Sequence, residues 1–146
     1  MAAYNHFTAL QQDILSPLVG KIVIGFRYEQ SPNPHLFSDR FILRLRPIDK
    51  HDSEVHLGIH FKTLGNQIAL NLGVTLVVAE GQEMPEGMHG FGREHLQTLA
   101  PLLRQPVSQF RLLRDQRLLI ALSHQELVFD VDNEDQEGLF LGWAVN

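Results

Sequence analysis

A chain of 146 residues is near the commonest size for one domain, and its 44% hydrophobic content is enough for a core without staples. It has no cysteine, which excludes a disulfide scaffold, a thiol nucleophile and a thiolate-bound metal. The net charge of −5 is uneven: residues 1–73 carry 7 Lys/Arg and 6 Asp/Glu, residues 74–146 carry 5 and 11, and an acidic half of this kind repels phosphate backbones and argues against nucleic acid as a partner.

The first 18 residues lack a basic segment followed by an apolar run, so no signal peptide is expected. Apolar runs elsewhere are far too short for a membrane span, and the expected compartment is the cytoplasm, with no membrane partner. Phe7, Leu10, Ile14, Leu15 and Leu18 recur at helical spacing and predict an amphipathic helix over about 4–16, ended by Pro17. The remainder of the first half alternates with period two. Phe41, Leu43 and Leu45 face one way; Val55, Leu57, Ile59 and Phe61 oppose Glu54, His56, Gly58 and His60. Ile68, Leu70, Leu72, Val74, Leu76 and Val78 predict a long strand with one buried face, as in an antiparallel sheet.

The second half repeats this order. Residues 15–27 align with 99–111 at an offset of 84, and six of the 13 positions are identical: Leu15, Pro17, Leu18, Val23, Phe26 and Arg27 match Leu99, Pro101, Leu102, Val107, Phe110 and Arg111. With longer loops in the first copy, Arg40 to Leu45 parallels Arg117 to Leu122, and Glu54 to Ile59 parallels Glu126 to Val131. Leu96, Leu99, Leu102 and Leu103 predict the second helix, and Asp115-Gln116 a tight hairpin turn. The expected fold class is therefore α+β: a duplicated α-β-β-β-β unit whose eight strands form a twisted antiparallel sheet or half-barrel with two helices packed on it. One domain over 1–146 is expected, with repeat units at about 4–79 and 93–146 and a linking loop at about 80–92.

Eight histidines invite a search for metal or acid–base chemistry. His56 and His60 are four apart, but on a strand their Cα atoms stand roughly 13 Å from each other, too far to share one ion; a solvated strand face is the expected setting. No serine has the glycine neighbours of a nucleophile elbow, and phosphate loops, dinucleotide fingerprints and zinc-protease helices are missing. No catalytic residue, metal or cofactor is expected, and the chain is read as a non-enzyme.

Asp130, Asp132, Glu134, Asp135 and Glu137 form an acidic run without a base. It fails as a calcium loop, because Asp135 stands where glycine is required and Leu141 where the bidentate glutamate is required. Such a run can steer a basic partner. The stretch from Glu80 to Gly92 is glycine-rich, and its Met84, Met88 and Phe91 supply adaptable apolar contacts; Met88, His89 and Phe91 complete the candidate partner-binding set.

With Leu15-Ser16-Pro17-Leu18-Val19-Gly20-Lys21 near the start, and an acidic turn before Gly138-Leu139-Phe140-Leu141-Gly142-Trp143, this small acidic chain resembles bacterial toxin-immunity-type proteins. The resemblance implies a protein-binding module that blocks a cognate toxin, often a basic nuclease. Two alternatives stand beside it: a chaperone of a secreted effector, which a homodimer would favour, and a small-ligand protein or enzyme with its site in the concave face of the sheet.

Overall fold

The computed structural model describes residues 7–49, 53–78, 87–113, 116–132 and 138–146. Each half is a short helix followed by four antiparallel strands. In the first, helix α1 (Ala9–Leu15) runs into a 3-10 turn at Ser16–Leu18, then strands β1 (Ile22–Glu29), β2 (Arg40–Arg46), β3 (Ser53–Leu64) and β4 (Gln67–Val78). After the short strand β5 (Gly87–His89), helix α2 (Arg93–Leu99) and a 3-10 turn at Ala100–Leu102 lead into β6 (Val107–Leu112), β7 (Leu118–Leu122), β8 (Glu126–Asp132) and β9 (Phe140–Val145). The fold is α+β and the unit is duplicated.

The correspondence is finer than the sequence match. Thr8 caps α1, taking the Gln11 amide on its hydroxyl while the Gln11 side chain accepts a bond from the Thr8 amide; Gly92, at the same offset, caps α2 without a side chain. Pro17 and Pro101 convert the last turn of each helix to 3-10 geometry. Gly20 (φ 91°) and Arg104 (φ 70°) then reverse the chain through the same left-handed conformation. Both first strands carry a register shift, at Val23/Gly25 and at Val107/Gln109.

Strand order is β4-β3-β2-β1 in the first sheet and β6-β7-β8-β9 in the second, with β5 parallel to β1 through Gly25↔Gly87 to Arg27↔His89. The sheets meet where β1 and β6 begin. An antiparallel bridge joins Ile22 to Pro106, flanked by Val23 N–H to Gln105 O and Val107 N–H to Lys21 O. Ile22 and Pro106 are equivalent positions of the two copies, so a local twofold axis passes between them.

The inward faces of both sheets share one core, which includes Leu15 and Leu18, their counterparts Leu99 and Leu102, Phe26, Leu43, Leu57, Ile59, Ile120, Leu127 and Phe129. Phe41 of β2 meets Phe129 of β8 edge-to-face at 4.8 Å, which ties the copies together across the interior. Two details depart from expectation. Of the β4 alternation, Leu70 and Leu72 are buried, but Val74 and Leu76 are 38% and 75% exposed although their β3 partners Leu57 and Val55 lie in the core, because β4 is the edge strand of its sheet. The linking stretch is structured in its second part: residues 80–86 lie outside the described residues, but Gly87–His89 pairs with β1 and Phe91 packs among aromatic rings.

Candidate functional site

Two hollows formed by the described residues stand out. The first, about 660 Å3, runs along β9 from Leu141 to Val145, with Tyr28, Phe91, His95 and Thr98 opposite. Its floor is aromatic. Trp143 meets His95 at 4.9 Å and Phe91 at 6.0 Å, and Phe91 meets Tyr28 at 5.6 Å. Gly90 (φ 85°) makes this approach feasible, since a Cβ there would overlap the Tyr28 carbonyl oxygen. The Tyr28 hydroxyl donates to Asp39 Oδ2 at 2.8 Å. Burial, and then the hydrogen bond to and charge of that carboxylate, push the phenol well above its ordinary pKa, so it stays a neutral donor.

One wall of this cavity is an open sheet edge. Glu126 and Asn146 exchange both backbone hydrogen bonds, at 3.0 and 2.9 Å. The antiparallel register then turns the amides and carbonyls of Ala144, Gly142 and Phe140 toward β8, and those of Leu141, Trp143 and Val145 outward. No strand pairs with that outer side among the described residues.

The second hollow is on the outer face of the first sheet, where cavities of about 420 and 370 Å3 share Arg40, His60 and Asn71 as lining residues. His56 and His60 point here, and both are only 7% exposed. The expected solvated strand face is therefore corrected: the strands around them carry side chains long enough to cover them. Arg44, 1% exposed, donates to Glu54 through Nη2 at 2.7 Å and Nε at 3.2 Å, and His56 Nε2 donates to Glu54 Oε2 at 2.8 Å. Burial alone would raise the Glu54 pKa, but the bonds from Arg44 and His56 outweigh it and hold the carboxyl below its ordinary value. His60 Nε2 accepts from Asn71 Nδ2 at 3.0 Å, which leaves the ring proton on Nδ1. His56 and His60 each engage a different partner, and no cluster of metal-ligating side chains exists among the described residues.

The residues singled out in the sequence are only partly gathered. Phe91 lines the aromatic cavity. Met88 and His89 lie in β5, opposite Phe26 and Arg27. Asp130 is exposed on β8 and pairs with Gly142, and its Oδ1 lies 2.8 Å from where a Cβ of that glycine would stand, so its carboxylate leans over β9 one strand in from the open edge. Asp132 ends β8, while Glu134, Asp135 and Glu137 lie outside the described residues. Tyr28, His95 and Trp143, and Arg40, His60 and Asn71, were not singled out as sites. They come from separate elements with no shared spacing, so only the fold assembles them.

No family model matches the chain, and neither a curated protein nor a solved structure matches it. No helix among the described residues is long and apolar enough to cross a membrane.

Proposed function

We propose that the chain is a protein-binding module, an inhibitor of the immunity type, that receives an extended segment of a basic partner along the open edge of β9. The observation that carries this reading is the outward row of backbone groups at Leu141, Trp143 and Val145 beside a cavity of about 660 Å3. An added strand would satisfy those groups, and its alternate side chains would enter the floor of Tyr28, Phe91, His95 and Trp143. Charge supports a basic partner. Asp130 leans over the neighbouring Gly142, and the acidic run through Asp132, Glu134, Asp135 and Glu137 comes next in sequence.

The test is capture of partners from the native lysate with the tagged chain, identified by mass spectrometry. One stoichiometric basic protein, released by high salt, is expected. Val145→Pro removes one outward amide at a position where an edge strand tolerates proline, and should abolish capture while leaving the circular dichroism spectrum unchanged. Replacing the five acids by Asn or Gln should slow association and flatten its salt dependence. Capture unaffected by Val145→Pro defeats the edge-pairing reading.

A further inference from the structure

The two copies provide an internal comparison. Where the outer face of the first carries Arg44, His56, Gly58 and His60, aligned positions of the second carry Ala121, Val128, Asp130 and Asp132. Among the described residues the second copy buries no ionisable group on this face, so folding alone does not require them. The faces also differ in sign. Around His60 stand Arg27, Arg40 and Lys62. The carboxylate nearest them among the described residues is Glu29, 3.2 Å from Arg27 Nε and 3.8 Å from Arg40 Nη1. Glu54, also on this face, is taken up by Arg44 and His56.

Two buried polar atoms lack a hydrogen-bond partner among the described residues: Arg27 Nε, whose contact with Glu29 has the distance but not the direction of a hydrogen bond, and His60 Nδ1. Both residues line the same cavity. Arg40 crosses it, its Cδ 3.3 Å from where a Cβ of Gly58 would be, so the missing side chain at Gly58 makes the room for this guanidinium. Excess positive charge around a hollow lined by Arg27, Arg40, His60 and Asn71 is the feature of a site for an anion.

We propose that this outer-face hollow binds the phosphate or carboxylate group of a small ligand, held by the guanidinium groups of Arg40 and Arg27 with His60 and Asn71 as hydrogen-bonding neighbours. Binding draws the guanidinium groups from Glu29 to the ligand, beside the ring of His60 and its partner Asn71. The site is independent of the β9 edge, because it shares no lining residue with that cavity.

Titration of the full chain with inorganic phosphate and, separately, with acetate, followed by the imidazole nitrogen resonances of His60 in a 15N-labelled sample, tests this. Saturable movement of those resonances is expected. Arg40→Gln should weaken it at least about tenfold, the scale of losing one charged hydrogen bond, whereas Arg111→Gln, the counterpart of Arg27 in the second copy, should leave it unchanged. Response to phosphate alone assigns a phosphorylated ligand, and response to acetate alone assigns a carboxylate. Absence of saturable movement with either anion overturns the proposal, as does movement that Arg40→Gln does not weaken. Because Arg40 is half exposed, its replacement leaves the core intact, and the resonances of Trp143 serve as a check on folding.

Discussion

His60 sits under Phe37, Asn71 and Arg40, and its ring pays for that cover when it must take up a second proton. Burial, and then the charges of Arg40 and Lys62, lower its pKa from 6.5 to about 4. Between these values the unfolded chain binds a proton that the folded chain refuses, so stability falls as pH drops from 6.5 toward 4 and is unaffected by this group above 6.5. Denaturant unfolding at pH 7 and pH 4.5 should show His60→Asn losing less stability than the parent chain, by roughly 2 kcal/mol. Equal losses in the two proteins would place His60 in an ordinary, solvated setting. Strand alternation placed His60 and His56 correctly on the face opposite the core, where their rings have different partners, Asn71 and Glu54. Their burial was not legible in the sequence, because the side chains that cover His60 come from other strands and a loop.

At the level of elements, the helix-to-strand corner was the best-read part of the chain, and the reason is physical. Proline cannot donate to the preceding turn, so Pro17 and Pro101 mark the same event in each copy. The chain reversal after each proline was less legible, since Gly20 advertises a left-handed conformation and Arg104 does not, yet both adopt it. Gly20→Ala should therefore destabilise the chain by about 1 kcal/mol through backbone strain alone, because nothing stands within 4 Å of the added methyl. A thermal melt would check it, and an unchanged midpoint would mean that the corner relaxes. At the hairpin expected for Asp115-Gln116, Asp115 lies outside the described residues, and Gln116 takes φ 66° where a glycine would be the easier choice. The acidic run resisted reading for a different reason: charge without periodicity fixes no geometry, and of its five acids only Asp130 has a described side-chain position.

For the whole molecule, a match of six residues in 13 became a statement about shape. Alternation supplied the faces of the strands but not the order of the sheets, and the aromatic cavity remained hidden because Tyr28, Phe91 and Trp143 are brought together from three distant parts of the chain. The core is common property: Phe41 and Phe129 touch across it, and neither half holds it alone. Separately expressed halves, divided within 80–86, should each be poorly structured and recover native circular dichroism when mixed; a first half that melts cooperatively by itself would contradict this. The bridge at Ile22 and Pro106 gives the molecule an inner symmetry. A strand that pairs with its own counterpart about a twofold axis is the contact two identical chains would form on meeting, so the two halves stand to each other as the subunits of a symmetric homodimer do. Joined in one chain, they need not be identical. The outer face of one is basic around Arg27 and Arg40, that of the other carries Asp130, and a single molecule has two unlike surfaces.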